Sequence, residues 1–362
     1  MSRAILLQGF GWDSAEKGAW YIQLQRRTAD IKGYMPDQLY LLDSAYGTKD
    51  QLKRLNNELK GAGIKPIADI VINHSDSPTF HGTGRPDTGE SFFAAPDLDH
   101  TNPELRAGLK DWLNWLKNEI GFEGWRFDFA RGYAPQYVRE YIEGSGMAGE
   151  LCIGDYLPDM TWGCGRHLAP NQDAARKSVV DWIEGTGGEC MAFDFPLKYI
   201  LNQSIANEEY WRLADSNGKP PGLIGVRPDK AVTFVANHNT DSVKRTAPLP
   251  PWGYEAGYAY ILTHPGVPCV FWDHVFGTSS EPAVRAAVGA LMSVRIRNAI
   301  TSTSTVTILR HDAGLYLARI DDKLIVKLGP SHAISDIMPK ESDGWFLACC
   351  GRDWIVWERK NE

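Results

Sequence analysis

Gly121-Phe-Glu-Gly-Trp-Arg-Phe-Asp-Phe-Ala-Arg-Gly132 is the stretch on which the fold turns. Its run from Gly124 to Phe129, apolar but for Arg126 and Asp128, is too short for a helix and reads as a strand. Just before it, Pro103 occupies a first-turn position ahead of Leu105, Leu109, Trp112, Leu113, Leu116 and Ile120, an apolar stripe of helical period. A one-faced helix followed by a strand that must be covered is one repeat of an α/β chain. Working outward, Thr48-Lys-Asp-Gln51 forms a capping box in front of Leu52, Leu55 and Leu59, and the apolar run Pro66 to Ile72 follows it. Further runs are Ile5 to Phe10, Gln38 to Leu42, Leu151 to Asp155, Met191 to Phe195, Ala231 to Val235 and Pro268 to Trp272. Eight strands alternating with helices predict a (β/α)₈ barrel, in which functional side chains stand at the C-terminal strand ends and on the loops that follow.

After Arg297 the texture changes to short apolar runs separated by Asp, Gly and Pro: Val306 to Leu309, Leu315 to Leu317, Leu324 to Val326, Trp345 to Ala348 and Trp354 to Trp357. This predicts a small antiparallel β domain over 301–362 behind a barrel over 1–300. A chain of 362 residues suits that division, and 43% hydrophobic with 23% charged residues is the ordinary mixture of a folded soluble protein. A net charge of −7 offers no field for a phosphate backbone, so nucleic acid is excluded as a natural partner. No window approaches the length of a membrane span, and the first strand run starts too close to Met1 for a signal peptide, so the cytoplasm is the default compartment. The six cysteines show no metal-type pairing, and most lie in apolar runs, where Cys acts as a small hydrophobe. The 13 Trp and 14 Tyr suit both core packing and stacking on sugars, and composition does not choose between them.

The polar residues at the strand ends are Asn73 and His74, Asp128, Asp155, and Asn237, His238 and Asn239. An Arg two residues before an Asp, as in Arg126 and Asp128, serves equally to tie strand ends together or to keep a nucleophilic carboxylate ionised. The excursion Ser75 to Asp99, rich in Gly, Pro, Asp and Thr, is a long loop of the kind that often carries function.

Three segments, Ala68-Asp-Ile-Val-Ile-Asn-His74, Gly121 to Gly132 and Thr233-Phe-Val-Ala-Asn-His-Asn-Thr240, resemble signature segments of the α-amylase family, glycoside hydrolase family 13, in its plant form. The resemblance extends to Gln8-Gly-Phe-Gly-Trp12, Gly33-Tyr-Met-Pro36, Gly257 to Pro265 and Val326 to Pro330, and so covers nearly the whole chain. It implies retaining hydrolysis of α-glucan by a nucleophilic carboxylate and an acid/base carboxyl about 5–5.5 Å apart. Asp128 matches the nucleophile, with Arg126 beside it. The acid/base position, where the family carries Glu, holds Asp155, one methylene shorter. The third carboxylate is replaced by Asn239, which keeps the shape and loses the charge. The resemblance further implies pocket roles for Trp12, Tyr34, His74 and His238. It implies a structural calcium held by side-chain oxygens of Asn73, Asp87 and Asp97 and backbone carbonyls of Glu90 and Gly132.

Other departures accompany these. About twenty residues of the plant pattern are missing around the second strand, so that either Gln38–Leu42 replaces this strand or the barrel lacks it. The loop at 75–99 is shortened. In Pro221 to Pro228, the paired tryptophans of a plant surface starch site are replaced by Val226 and Arg227. The expectation is a degenerate α-amylase-like protein, catalytically impaired or inactive, with residual α-glucan binding or a structural, assembly role and a protein partner over the altered barrel face. The alternative is an active α-1,4-glucan endohydrolase with an unusual acid/base Asp.

Overall fold

The computed structural model describes residues 3–9, 38–44, 46–75, 88–91, 95–240, 249–277 and 281–360. Within them the parallel strands are β1 (Leu6–Gln8), β2 (Ala68–Ile70), β3 (Gly124–Phe127), β4 (Leu151–Gly154), β5 (Met191–Phe193), β6 (Ala231–Phe234) and β7 (Val267–Phe271). The helices are α1 (Lys49–Gly61), α2 (Pro103–Trp115), α3 (Pro135–Gly144), α4 (Asp173–Gly185), α5 (Phe195–Asn207), α6 (Tyr254–Thr263), α7 (Trp272–Val275) and α8 (Pro282–Arg297). Antiparallel strands β8 (Val306–His311), β9 (Tyr316–Ile320), β10 (Leu324–Leu328), β11 (Trp345–Gly351) and β12 (Trp354–Arg359) close the chain. No helix among the described residues is long and apolar enough to cross a membrane. The chain forms two compact units. One comprises Met1–Gly11, Asp159–Ser178 and Asp194–Glu362; the other comprises Trp12–Pro158 and Val179–Phe193.

In the second of these units the strands run parallel in the order β5-β4-β3-β2, with Asp69 opposite Arg126 and Arg126 opposite Ile153. The predicted capping box forms: the Gln51 amide donates to Thr48 Oγ1 at 3.3 Å and the Thr48 amide to Gln51 Oε1 at 2.8 Å. Asn102 caps α2 ahead of Pro103, and the stripe Leu105, Leu109, Trp112 and Leu113 is buried, as its spacing predicts. A π-helical turn, Leu116–Ile120, follows and stops at Gly121, whose left-handed φ of 90° favours glycine.

The expected strand Gln38–Leu42 is absent, and this is a correction. The segment is a turn closed by the Leu41 amide on the Gln38 carbonyl. Its groups are satisfied by α2 instead of by a sheet: Trp112 Nε1 donates to the Leu39 carbonyl at 2.7 Å and Tyr40 packs edge-on against Trp115. Leu42 is buried without strand pairing, while Tyr40 stays about half exposed at 53%. Among the described residues no strand lies between β1 and β2. The helix expected at Trp20–Ile31 lies outside the described residues.

In the other unit β1, β7 and β6 are parallel neighbours in that order. The C-terminal sheet has the order β11-β12-β10-β9-β8 and packs around Leu315, Leu317, Ile325, Ile334 and Trp357. All five apolar runs read after Arg297 are strands. Buried Arg295 of α8 donates to the carbonyls of Leu262, His264 and Gly266, fixing α8 against the end of α6. Cys152, Cys190 and Cys269 are buried in or beside strands, consistent with their use as small hydrophobes.

Candidate functional site

The centre of the second unit is one guanidinium facing three carboxylates. Arg126 Nη1 donates to Asp69 Oδ1 at 2.5 Å and to Asp128 Oδ1 at 2.7 Å, and its Nη2 donates to Asp155 Oδ2. The register explains the meeting. Asp69 and Arg126 are direct partners on β2 and β3, and side chains two residues apart share a sheet face, so Asp128 and Asp155 extend the same face past the ends of β3 and β4. Backbone bonds continue the sheet here: the Asp128 amide donates to the Ile70 carbonyl, the Asp155 amide to Phe127, and the Ala130 amide back to Asp155. All four side chains are largely buried, between 11% and 22% exposed. Asp69 was not singled out from the sequence; a charged residue inside an otherwise apolar parallel strand is the signal that marks it.

Burial dominates the electrostatics of this cluster. It pushes the Asp128 carboxyl up to about 7, against the pull of Arg126 and with the help of the Asp69 and Asp155 charges. It also raises Asp155, with Asp69 adding to the shift and Arg126 opposing it. A left-handed residue and a close approach shape the carboxylate-bearing turns. Phe129, directly after Asp128, has a left-handed φ of 45°, a strained setting for an aromatic residue. Gly154, directly before Asp155, lies where a Cβ would come within 2.1 Å of the Trp182 ring, whose Nε1 donates to the Ala130 carbonyl.

Beside this cluster the unit gathers most of the expected calcium set. Asn73 Nδ2 donates to Asp97 Oδ1 at 3.0 Å, and His74 and Asp97 form a backbone bridge. The Asn73 Oδ1 atom is buried and has no hydrogen-bond partner among the described residues. It points to Gly132, where a Cβ would fall 1.9 Å from it. Glu90 reaches the same turn: its amide donates to the Arg131 carbonyl at 3.0 Å and its carboxylate pairs with the Arg131 guanidinium. Asn73, Asp97, Gly132 and Glu90 are thus neighbours, while Asp87 lies outside the described residues. No cluster of three or more His, Cys, Asp or Glu side chains arranged for a metal is present among the described residues. The set would instead rest on an amide, a carboxylate and backbone carbonyls. An orphaned buried amide oxygen facing a glycine backbone suits a hard cation, so the residues present fit calcium. His74 is buried, its Nδ1 accepting from Asn73 Nδ2 at 3.4 Å.

His238 and Asn239 belong to the other unit, in the turn that follows β6. Asn237 organises this turn: its Oδ1 accepts from the Asn239 amide at 3.0 Å and from Thr240 Oγ1 at 2.9 Å, while its own amide donates to Thr240 Oγ1. His238 is buried and its Nδ1 lies 2.7 Å from Gln8 Nε2 of β1. Nothing in the Gln8–Trp12 segment alone signals that Gln8 would meet a histidine 230 residues away. Asn239 itself is exposed. Trp12 and Tyr34, expected in the pocket, lie outside the described residues.

Residues 297–358 match the family described as alpha-amylase C-terminal beta-sheet domain, and residues 18–84 match the alpha amylase catalytic domain. The chain is 36% identical over 402 residues to "Probable alpha-amylase 2" of Arabidopsis thaliana, covering 99% of this chain and 94% of that one. It is 37% identical over 400 residues to "Alpha-amylase 3, chloroplastic" of the same plant, covering 98% of this chain but only 44% of that longer protein. Among solved structures, an α-amylase from Geobacillus thermoleovorans complexed with acarbose aligns with a TM-score of 0.71 at 16% identity, over 96% of this chain and 90% of that one. The last likeness speaks to fold alone: a (β/α)₈-type chain with a C-terminal antiparallel β domain.

Proposed function

This chain belongs to the α-amylase family, closest in kind to its plant members, and from that premise we propose that it is a catalytically impaired member that retains α-glucan binding. The observation that carries the reading is the engagement of Asp155 by Arg126. A general acid must present a proton to the glycosidic oxygen. Here the carboxyl at that position is one methylene short, and one of its oxygens is taken by the guanidinium that also serves Asp128 and Asp69. The candidate nucleophile fares little better, since its burial raises the carboxyl and works against the ionised form that would attack. An exposed amide at Asn239 supplies no negative charge to an oxocarbenium-like transition state. Misplacements near 1 Å alone cost about 10²-fold in rate.

Sugar-binding groups persist in this reading. By the family resemblance, His74 and His238 would supply hydrogen bonds and Trp12 and Tyr34 stacking to a bound sugar. Calcium would be held by Asn73, Asp87 and Asp97 and by the Glu90 and Gly132 carbonyls, where it would pin the loop after β2 to the turn after β3. The orphaned Asn73 oxygen supports it. The rival reading, a working α-1,4-glucan hydrolase, draws on the burial that raises Asp155, since a general acid needs to hold its proton near neutral pH. A reducing-sugar assay on soluble starch with calcium decides between them. Negligible release, with starch still retarding the protein in an affinity gel, is the expected result; robust release abolished by Asp128→Ala establishes the hydrolase.

A further inference from the structure

Two buried cysteines of the second unit meet across neighbouring strands. β4 and β5 run parallel in the register Ile153 opposite Met191 and Gly154 opposite Ala192. One step earlier the same register sets Cys152 opposite Cys190. Opposed residues of a parallel pair point to one face of the sheet, and for these two it is the face away from Asp155, because Ile153 and Asp155 share the other. Neighbouring strands lie about 4.7–4.9 Å apart, inside the window of about 4.4–6.8 Å that a disulfide needs between Cα atoms. Both cysteines are buried, and the Arg126 cluster uses neither.

The surroundings hold the two strands in this relation. Just before them, the Gly149 amide donates to Glu189 Oε2 at 3.2 Å, which joins the start of β4 to the start of β5. The Cys190 amide donates to Thr186 Oγ1 at 3.3 Å, fixing its backbone against the end of α4. The next pair on the same face, Gly154 and Ala192, is small, so no bulky side chain keeps β4 and β5 apart beside the thiols. Toward β3, by contrast, Cys152 is opposed by the buried indole of Trp125.

We propose that Cys152 and Cys190 are a reversible dithiol–disulfide pair, an oxidation-sensitive tie between β4 and β5. The oxidant is a peroxide, small enough to reach a buried thiol when the sheet opens locally. It converts one thiol to a sulfenic acid and releases water; the sulfur of the other thiol then displaces the sulfenic hydroxyl, which leaves as a second water. Two electrons pass from the sulfurs to the peroxide bond, and the S–S bond forms. Burial slows the first step, so exposed Cys164 and Cys350 are attacked sooner, and the pair responds to sustained oxidation only. A disulfide also needs its Cβ atoms within about 3.5–4.5 Å, slightly closer than the strand spacing, so closing the bond draws β4 toward β5 and leaves the bond easier to reduce. The strand it moves carries Asp155, three residues beyond Cys152.

The test treats the full chain with hydrogen peroxide under native conditions, then alkylates and digests it for mass spectrometry. A variant combining Cys164→Ser, Cys349→Ser and Cys350→Ser is treated in parallel, so that surface thiols do not compete. The expected product in both is a peptide pair joined through Cys152 and Cys190 and separated again by dithiothreitol. The linked chain should melt higher than the reduced one, because the bond restricts the unfolded ensemble, and Cys152→Ala in the triple variant should abolish both the link and the shift. The unmodified chain decides the matter even where Cys152→Ala does not fold. Cys152 and Cys190 that stay open to alkylation after denaturation, or that end as sulfonic acids with no link, overturn the proposal. So does a link that forms only when peroxide is added in urea, or a linked chain that melts no higher, since the native strands would then not accommodate the bond.

Discussion

The strand ends of the two units make an instructive pair. At Asp69, Arg126, Asp128 and Asp155 three carboxylates crowd one guanidinium in a largely buried setting, and each depends on that cation. At Asn237 to Thr240 there is no carboxylate; amide and hydroxyl groups satisfy each other and the backbone, and the residue at the expected charged position is exposed. The first region is electrostatically expensive and its members are interdependent, whereas the second is neutral and self-sufficient. A mutation in the first should therefore propagate through its neighbours and through pH, while one in the second should stay local.

The largest effect is expected from Arg126→Ala, which removes the shared cation and leaves buried carboxylates facing one another. Breaking such a buried pair typically costs about 3–5 kcal/mol. Urea unfolding at pH 7 should show a loss of that order, shrinking in acid as the carboxylates take up protons. A loss below about 1 kcal/mol would place the cluster among exposed ion pairs and erase the contrast between the regions.

Next comes Gly132→Ala. The new methyl would sit on Asn73 Oδ1 and close the space on which the calcium proposal depends. Overpacking of this kind costs about 1–3 kcal/mol. In the unmodified chain calcium should raise the melting temperature by linkage, and both Gly132→Ala and Asp97→Ala should remove that rise. An identical melting curve for the unmodified chain in chelator and in calcium rejects the site.

Asp128→Asn sharpens the comparison through pH. A carboxyl at about 7 in the folded state binds its proton more tightly than the unfolded chain, where the ordinary value is ~3.9. The unmodified chain therefore loses stability as pH rises through the window from about 4 to about 7. The Asn variant lacks that loss. Its stability relative to the parent should rise across the same window and flatten below pH ~4. A difference that stays constant with pH would mean that Asp128 is not the group that titrates.

Much of this was legible in the residues, and the failures have physical causes. Pro103 and the capping box at Thr48 are local devices, so they located α2 and α1 without tertiary information. The Gln38–Leu42 run failed because a short apolar stretch says only that its residues need cover, and here a helix with a free indole N–H provides it. Asp128 and Asp155 stood out through motifs, yet their sharing of Arg126 depends on the register of β2, β3 and β4, which no single segment encodes. Asp69 was hidden for the same reason. The engagement of Asp155 in particular could not be anticipated from its missing methylene alone.

The smallest effect should come from Asn239→Asp. Asn239 is exposed, and the bond it contributes to its turn comes from its backbone amide, which an Asp would keep. Surface changes of this kind lie within about 0.5 kcal/mol, so the unfolding curve should barely move. Restoring the family's charge here should also fail by itself to restore starch hydrolysis, because Asp155 would still be short and still bonded to Arg126. Asp155→Glu with Asn239→Asp should give partial recovery in the reducing-sugar assay: the longer acid regains reach, and the new carboxylate supports the developing positive charge. Since groups that act together do not contribute additively, the double variant should exceed the product of the two single gains. Full recovery by Asn239→Asp alone would show that the Arg126 bond does not hold Asp155 back, and the crowded region would then be as tolerant as the neutral one.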